Sequence, residues 1–390
     1  FTCGPSVYRE QHLGNYRTYL FEDILHKYLQ YLGYTVERAI NFTDLEDKSI
    51  QRAHDEGRSV YEVTDEIIRN FLKTAGELGI YLPEYIPRST DSVGEAIEII
   101  SDLMKKGFAY RHGGNIYFDP LKYPGFGEIF GLDMSRWPKK KYRFSRDTYN
   151  GKRWNLGDFI LWHGGTSKGP VWEGELGKGR PAWNIQDPAM IKKTLGTEID
   201  IHTGGIDNVY RHHDYTRAIL EAYSGKELAR YWYHCEHLIV DGEKMSKSKG
   251  NTLYPRDAYE WGCSPKKVRF MLMSEHFRQK LNITRKKTEK CCDRIGDLHE
   301  ATAAVTQLKY PSKADKGAEA RALEMINELD VLFRVKMNNG LDVPGAIDAL
   351  GAALHELHRI REKYGFSERV AEPLAASLGK IDSVLGVLFP

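Results

Sequence analysis

The spacing of apolar positions changes along this chain and predicts its first elements. Short apolar runs at Phe1–Val7 and Tyr34–Asn41 are typical of buried strands. Between them, from Gly14 to about Gly33, apolar residues recur at helical spacing. We therefore predict a strand, a loop, a helix and a second strand, which is the opening unit of a nucleotide-binding parallel sheet.

The rest of the pattern predicts a mixed first part and a helical second part. The expected elements are helical stretches at Asp44–Leu78 and Ala96–Met104, strands at Asn115–Phe118, Ile199–His202 and His237–Val240, and a βα-like segment at Asp207–Tyr223. After Asn251 the pattern is helical to the end, with amphipathic segments at Gly317–Asn338, Val343–Tyr364 and Glu372–Leu388. The predicted fold class is α/β, with a parallel-sheet domain followed by an all-helical domain.

Composition and charge exclude several classes of protein. The 390 residues suggest two or three domains, and 41% hydrophobic with 28% charged residues excludes disorder as the main state. With 56 Lys and Arg against 54 Asp and Glu, the net charge of +2 argues against a general polyanion binder. No signal peptide or membrane-length apolar run is evident, and five cysteines fit a reducing cytoplasm. The chain begins with Phe1, so its ends are not taken as native.

A short string between the first strand and the helix suits phosphate binding. It consists of His12, Leu13, Gly14 and Asn15. A helix N-terminus offers unpaired N–H groups and the positive end of the helix dipole. Gly14 permits close backbone approach, and His12 can donate to a phosphoryl oxygen. Taken alone the string is a weak signal, because a loop histidine before a helix is usually only structural.

A second string, Lys244–Asn251, is strongly cationic. It reads Lys-Met-Ser-Lys-Ser-Lys-Gly-Asn, with three ammonium groups around small hydroxyl residues and a glycine. Such a loop could hold a polyphosphate and neutralise the charge that develops on a leaving pyrophosphate. The competing interpretation is a solvated basic loop. Together, at the two ends of an α/β pattern, the two strings favour phosphate chemistry.

These two strings resemble the two signature motifs of class I aminoacyl-tRNA synthetases. The finer resemblance is to the cysteinyl-tRNA synthetase family, which includes its paralogue, the mycothiol-pathway cysteine ligase. Further matching strings are Cys3–Tyr8, Asn41–Lys48, Pro87–Thr90, Asp158–Trp162, Gly179–Trp183, Asp200–Asp207 and His212–His213. The resemblance runs in register from Phe1 to about Asn282 and more loosely to Pro390, so chance is an implausible explanation.

The resemblance implies a domain organisation. The expected parts are the first half of a Rossmann-type catalytic domain (1–84), a connective insertion (85–158), the second catalytic half (159–251), stem or linker helices (252–300) and a helical bundle (301–390). Full-length members of the family carry an anticodon-binding domain after the bundle, and that domain has no counterpart within these residues.

It also implies a reaction and a set of site residues. The carboxylate of an amino acid would attack the α-phosphate of ATP, with Mg²⁺ accompanying the nucleotide, and the aminoacyl group would pass to tRNA. The implied catalytic residues are His12, Asn15, Lys244 and Lys247. The implied ATP-binding residues are Gly14, His202, Gly204, Gly205, Asp207, Ser246 and Ser248. The implied amino-acid pocket comprises Cys3, Gly4, Thr43, Trp183, Asp187, His212 and Thr216.

The zinc site of the family is altered in this chain. The family holds zinc with two Cys, a His and a Glu; Cys3 and His212 match, whereas Asp187 and Thr216 replace the other two ligands. A weakened site of Cys3, Asp187 and His212 is one interpretation. We favour a metal-free pocket, because losing two ligands should remove most of the zinc affinity, and Asp187 would then face a substrate other than cysteine. Asp214 and His213 are nearby alternative ligands, although in a helix only the i+4 position shares the face of His212 well.

Several alternatives follow from these departures. The activated amino acid could pass to a small-molecule or peptide amine, or the chain could be a non-catalytic RNA-binding paralogue, which the intact phosphate motifs disfavour. The segment His234–His237 is not expected to bind an ion, because strand neighbours alternate faces, and His234 is at most site-lining. A cytoplasmic monomer or homodimer without membrane contact is expected.

Overall fold

A computed structural model describes five stretches of the chain, residues 1–133, 158–165, 169–246, 249–306 and 315–390. Lys247, which was predicted to be catalytic, and Ser248, which was predicted to bind ATP, lie outside these stretches. The chain forms two compact units that are discontinuous in sequence. Unit 1 comprises Phe1–Gln11, Glu37–Lys73 and Leu82–His234, and unit 2 comprises His12–Val36, Thr74–Tyr81 and Cys235–Pro390. The domain boundaries expected from the resemblance stay a prediction.

The helices and strands follow the predicted order closely. The α-helices are α1 (Leu13–Tyr31), α2 (Asp47–Glu56), α3 (Val60–Glu77), α4 (Val93–Lys105), α5 (Trp183–Thr194), α6 (Asp214–Ser224), α7 (Pro255–Glu260), α8 (Pro265–Leu272), α9 (Arg285–Thr306), α10 (Lys316–Asn338), α11 (Val343–Tyr364) and α12 (Glu368–Leu385). The strands are β1 (Ala109–His112), β2 (Asn115–Phe118), β3 (Phe159–Gly164), β4 (Gly179–Pro181), β5 (Ile199–Gly205), β6 (Ala229–Cys235), β7 (Leu238–Val240), β8 (Glu243–Lys244) and β9 (Leu281–Ile283). None of the helices described combines the length and apolar character needed to span a bilayer.

Parallel pairing around the first residues forms the centre of unit 1. Thr2 pairs in parallel with Ile40 on one side and with Thr203 of β5 on the other, and Ala39 pairs in parallel with Tyr85. β5 is in turn hydrogen-bonded to β6. The predicted opening strand is therefore central to a parallel arrangement. The second strand pairs only from Ala39 onward and not from Tyr34, so its first half was predicted wrongly.

A second sheet of unit 1 is antiparallel and has the order β1-β2-β3-β4. Its inner face is aromatic. Phe159 stacks on Phe118 with ring centroids 4.9 Å apart, and on Tyr215 of α6 at 3.9 Å. Aromatic rings bury large apolar areas, so this cluster fixes α6 against the sheet. The residues directly before α6, which belong to the candidate site, therefore have a firm support.

Two buried arginines stabilise unit 2. Arg269 of α8 donates to the Leu385 carbonyl at 2.7 Å and to the Gly79 carbonyl at 3.0 Å, and its Nη2 lies 3.3 Å from Asp23 Oδ2. Arg17 of α1 donates to the backbone carbonyls of residues 236 and 279. A buried guanidinium is tolerated when most of its donors are satisfied, and here chain carbonyls and the Asp23 carboxylate accept from the terminal nitrogens of both side chains. These contacts tie α1, α8 and the end of α12 together.

The structure corrects two further predictions. The stretch Asp44–Leu78 is two helices rather than one, because Gly57 ends α2 in the left-handed conformation with φ of +63°. The region after Asn251 is not purely helical, since β9 pairs in parallel with β7. A three-residue strand between helices carries too little periodicity to be recognised. The long amphipathic segments of α10, α11 and α12 were predicted correctly.

Candidate active site

In unit 2, His12 and Asn15 form a reciprocal cap at the start of α1. The Asn15 backbone N–H donates to His12 Nδ1 at 3.3 Å, and the His12 backbone N–H donates to Asn15 Oδ1 at 3.2 Å. The Leu13 N–H donates to the Leu253 carbonyl at 2.9 Å. This capping box fixes the direction of the first turn of the helix. The positive end of a 19-residue helix is thereby held in one orientation.

The lysine-rich loop of unit 2 is held by the side chain of Asn251. Its Oδ1 accepts from the Ser246 N–H at 2.8 Å, and its Nδ2 donates to the Lys244 carbonyl at 3.3 Å. Lys244 ends β8 and its side chain is exposed. Lys249 forms an ion pair with Glu243 at 2.8 Å. Asn251 was not among the predicted site residues, although it closes the motif in sequence.

The two phosphate motifs meet within unit 2. A Cβ placed on Gly14 would lie 2.9 Å from Met245 Cε and 3.1 Å from the His12 ring. Any larger residue at position 14 would push the methionine or the histidine away. The glycine therefore permits the lysine loop to approach the N-terminus of α1, which the sequence alone could not establish. His12, Gly14, Lys244 and Ser246 belong to one neighbourhood.

In unit 1, the first strand passes very close to the next strand. The Gly4 N–H donates to Asn41 Oδ1 at 2.7 Å, and a Cβ on Gly4 would lie 1.8 Å from the Asn41 carbonyl oxygen. Only glycine fits at that separation. Asn41 Nδ2 also lies 3.3 Å from Thr43 Oγ1. The predicted pocket residues Gly4 and Thr43 are therefore joined by Asn41, which the sequence reasoning did not single out.

Asp187 is buried in the second turn of α5 and both of its oxygens are engaged. Oδ1 accepts from Asn41 Nδ2 at 3.0 Å, and Oδ2 lies 3.0 Å from His212 Nε2. The ring of Trp183 stacks on His212 with centroids 4.2 Å apart. Asp187 therefore orients His212, and its two oxygens are already occupied by partners within the protein.

Thr216, the other replaced ligand position, uses its hydroxyl within its own helix. Its hydroxyl donates to the His212 carbonyl at 3.0 Å, and the side chain is fully buried in α6. Such a bond to the carbonyl four residues earlier is a common way for a helical threonine to satisfy its hydroxyl. Thr216 is placed beside His212, but its oxygen is used by the backbone.

The backbone turns sharply just before His212 and His213. Tyr210 has ψ of +132° and Arg211 has φ of +76°, a value that non-glycine residues rarely adopt. Strained backbone of this kind persists only where the surroundings enforce it, and it is frequent at functional sites. The kink lets both histidines reach the side where Cys3 lies. The expectation that only the i+4 position shares the face of His212 well assumed a regular helix, and this stretch is not one.

Cys3, His212 and His213 come together, and all three are buried. One ligand atom from each residue lies within 4.8 Å of the other two. Asn208 Nδ2 donates to Cys3 Sγ at 3.6 Å, and His213 Nδ1 lies 2.8 Å from His234 Nε2. The predicted set of Cys3, Asp187 and His212 is thus arranged differently, with Asp187 behind His212 and His213 beside Cys3.

Burial favours the neutral form of three histidines in this region, His202, His213 and His234. It lowers the pKa of His213 and of His202 well below the usual value, with neighbouring imidazoles adding to the effect. It also lowers the pKa of His234 to about 4. His202 is fully buried and stacks on Trp232 with centroids 4.6 Å apart. Neutral imidazoles are hydrogen-bond acceptors and potential metal ligands, so His202, His213 and His234 have lone pairs available at neutral pH.

The remaining residues predicted to bind ATP lie around the end of β5 in unit 1. Gly204 has no room for a side chain, because a Cβ would lie 2.7 Å from His213 Cε1. Gly205 precedes a short turn at Ile206–Asn208, and Asp207 is exposed on that turn. Gly204 therefore leaves room for the ring of His213, while Asp207 is accessible to a ligand.

Comparison with known proteins identifies the family. The family described as tRNA synthetases class I (C) catalytic domain matches residues 1–293. A cysteine–tRNA ligase from Chlamydia pneumoniae is 35% identical over 100% of this chain and 81% of its own length. The chain belongs to the class I (C) tRNA synthetases. Another cysteine–tRNA ligase, from Brachyspira hyodysenteriae, is 40% identical over 76% of this chain and 64% of its own length.

The fold of the class I tRNA synthetases extends over nearly the whole chain. A methionyl-tRNA synthetase from Mycobacterium tuberculosis, solved in complex with methionyl-adenylate, has a TM-score of 0.73 and 16% identity, covering 99% of this chain and 91% of its own. The predicted fold class, a Rossmann-type α/β domain followed by a helical bundle, is confirmed. The predicted membership of the aminoacyl-tRNA synthetase ligases is confirmed as well.

Proposed function

We propose that the chain uses ATP to convert an amino acid to its adenylate and then transfers the aminoacyl group to tRNA. The observation that carries the proposal is the junction of the two phosphate motifs in unit 2. There, Gly14 admits Met245 beside the capped N-terminus of α1. A helix N-terminus next to a lysine loop supplies oriented N–H groups and positive charge for phosphates.

The roles of the motif residues follow from this chemistry. His12 and Asn15 orient the helix start, and the imidazole of His12 donates to a phosphoryl oxygen. Lys244 and Lys247 neutralise the charge that grows on pyrophosphate as it leaves, and Mg²⁺ accompanies the ATP. Adenylate formation requires positioning and positive charge rather than a nucleophile from the protein. The absence of a covalent nucleophile from the predicted set is consistent with this reaction.

Cysteine is the first candidate for the amino acid. The sequence favoured a pocket in which Asp187 faces a cationic or hydrogen-bonding side chain, but Asn41 and His212 occupy both carboxylate oxygens. Each oxygen keeps one further acceptor site, but the carboxylate is buried and both oxygens are already held by partners within the protein. The relatives named above are cysteine–tRNA ligases, and the thiol-bearing pocket position Cys3 is retained. Together these observations support a small thiol side chain.

The test is amino-acid-dependent exchange of pyrophosphate into ATP, measured with each of the twenty amino acids. We expect exchange with cysteine and only weak exchange with serine. Exchange with another amino acid would refute the cysteine assignment, and no exchange with any of them would refute the activation step. Total tRNA is then added to the activating amino acid, and an ester-linked aminoacyl-tRNA is expected. Consumption of an amine acceptor with no charged tRNA would contradict the tRNA step. Cytoplasmic location and oligomeric state stay predictions.

A further inference from the structure

Within unit 2, two cysteines from different parts of the chain bring their sulfur atoms into contact. Cys263 lies between α7 and α8, and Cys292 belongs to α9, 29 positions further along the chain. Their Sγ atoms are 3.2 Å apart. None of the five cysteines is in a disulfide, and all of them lie in the part of the chain that the structure describes. A disulfide bond is about 2.05 Å long, so joining the two sulfur atoms requires an approach of about 1.2 Å.

The backbone at Cys263 is fixed from both sides. Its N–H donates to the Ala258 carbonyl at 3.1 Å, and Gly262 before it has φ of +84°, so the end of α7 is capped there. Directly after it, Ser264 Oγ accepts from the Lys267 N–H at 3.3 Å and caps the start of α8. Cys263 therefore occupies a defined position between the two helices.

The part of α9 that carries Cys292 is held against α8. One turn before Cys292, Thr288 Oγ1 donates to Met271 Sδ at 3.4 Å. Two residues after it, the Arg294 guanidinium lies over the Phe270 ring, 5.7 Å from the ring centroid. Contacts before and after Cys292 thus keep this stretch of α9 beside α8. The short distance between the two sulfur atoms follows from this packing.

The two thiols differ in exposure, and this difference determines which of them reacts first. Cys263 is 5% exposed, whereas Cys292 is half-buried. Burial and the hydrogen bond to Cys292 raise the pKa of Cys263 to about 12, so that thiol keeps its proton at neutral pH. Cys291 is buried and hydrogen-bonded to Ser274, and adjacent side chains of a helix point in directions about 100° apart. Cys292 is therefore the thiol that an oxidant reaches, and Cys263 is its partner.

We propose that Cys263 and Cys292 form a peroxide-sensitive dithiol, which converts reversibly to a disulfide between α9 and the end of α7. The Cys292 thiolate attacks one oxygen of hydrogen peroxide, the O–O bond breaks, and the leaving hydroxide takes up the proton that Cys292 lost. Cys263 Sγ then attacks the sulfur of the sulfenic acid, the S–O bond breaks, and hydroxide leaves with the proton of Cys263 as a second water. The two thiols lose two electrons in total, and the peroxide gains them.

The disulfide restrains the end of α7 and closes the chain between positions 263 and 292. A crosslink of this kind limits the freedom of the unfolded chain, so the oxidised protein should unfold at a temperature about 5 °C higher than the reduced protein. The proposal does not depend on the proposed function, because thiols and thermal unfolding are measured without ATP, amino acid or tRNA.

The first test treats the fully reduced, unmodified protein with a small molar excess of hydrogen peroxide. We expect two of the five thiols to be lost and to return after dithiothreitol is added. Trypsin releases Cys263 within residues 257–266, and both Cys291 and Cys292 within residues 291–294. Mass spectrometry should find these two peptides joined and lighter by two hydrogens. Loss of thiols without this joined peptide, or the joined peptide only in a covalent dimer, would overturn the proposal.

Variants then identify the two sulfur atoms and their order of reaction. Cys292→Ser should abolish the joined peptide, while the matched control Cys291→Ser, at the adjacent position, should form it as the unmodified protein does. In Cys263→Ser, peroxide should leave a sulfenic acid on Cys292, which dimedone traps. In Cys292→Ser, Cys263 should react with peroxide at least about 10-fold more slowly. Circular dichroism checks that each variant is folded, and Cys263→Ala replaces Cys263→Ser if the buried hydroxyl prevents folding.

Two outcomes among the variants would refute this assignment. If the joined peptide persisted in Cys292→Ser and disappeared in Cys291→Ser, Cys291 would be the partner of Cys263. If the unmodified protein and Cys292→Ser showed the same rise in unfolding temperature after peroxide, the crosslink between Cys263 and Cys292 would not be its cause.

Discussion

The phosphate motifs of unit 2 match the family pattern, whereas the pocket of unit 1 departs from it. In unit 2 the described motif residues keep the family pattern, and each has a local structural reason, such as the capping bonds of His12 and Asn15. In unit 1 two of the positions that match the family's zinc ligands have changed, to Asp187 and Thr216, and His212 and His213 both lie beside Cys3. Phosphate transfer needs the same charges for every amino acid, whereas a side-chain pocket can be rebuilt around one substrate. The comparison teaches that intact chemistry and altered recognition can occur in one chain.

The largest effect is expected for Lys244→Ala in unit 2. Removal of a charge that stabilises the transition state should slow pyrophosphate exchange by about 100–1000-fold, while the unfolding transition should not move, because the side chain is exposed. Lys226→Ala, which removes an exposed lysine paired with Glu198, is the matched control and should exchange normally. Equal rates for the two variants would rule out the proposed role of Lys244.

Asp187→Ala in unit 1 should affect stability first. It leaves Asn41 Nδ2 and His212 Nε2 buried without this partner, so we expect the free energy of unfolding to fall by about 2–3 kcal/mol. Denaturation of the chelator-treated protein measures this loss without a metal contribution. Asp187→Asn retains an acceptor for His212 and should lose less than half as much. If Asp187→Ala left the free energy of unfolding unchanged, the hydrogen bonds of Asp187 would not stabilise the protein.

A pair of substitutions at His12 separates capping from catalysis. His12→Ala removes the N-cap acceptor of α1 and should lower stability by about 1 kcal/mol, whereas His12→Asn provides another good cap and should preserve it. Both variants lose the imidazole, so exchange should slow by about 10–100-fold in each. Thermal unfolding and exchange are measured side by side. Full activity in His12→Asn would mean that His12 only caps the helix.

The smallest effect is expected for Asn251→Ala. It removes the bonds to the Ser246 N–H and the Lys244 carbonyl, and one net hydrogen bond is worth about 1 kcal/mol. Exchange should therefore slow about fivefold, through the positioning of Lys244. Combining Asn251→Ala with Lys244→Ala gives a direct check. If Asn251 acts through Lys244, Asn251→Ala should slow exchange very little in a protein that already lacks Lys244. Fully additive losses would show that Asn251 acts independently of Lys244.

Much of the fold could be predicted because its signals are local. The helical spacing of α1, α4, α10 and α11 and the short apolar run of β2 gave their bounds to within a few residues. Elements without a local signal were missed or misjudged: the three-residue strand β9, the break at Gly57 and the late start of pairing at Ala39. A short strand is stabilised by its neighbours in space, so its own residues carry little information.

The candidate site shows the same division more sharply. Motif spacing alone indicated which residues could handle phosphates, because a helix start and a lysine loop keep their chemistry in any context. It gave no sign that Asn41 joins Gly4 to Asp187, nor that Asn251 holds the lysine loop. Side-chain amides can bond in many directions, and only the packed neighbours select one.

The sequence by itself determined the family, the α/β class and the residues able to bind phosphate, since these depend on residue types at fixed spacing. Only the tertiary structure decided what surrounds Cys3. A regular helix would have kept His213 away from His212's neighbours, but the backbone turn at Arg211 brings both imidazoles to the thiol. Backbone of this kind persists only where the surrounding structure enforces it, so the arrangement around Cys3 became visible only in the folded chain.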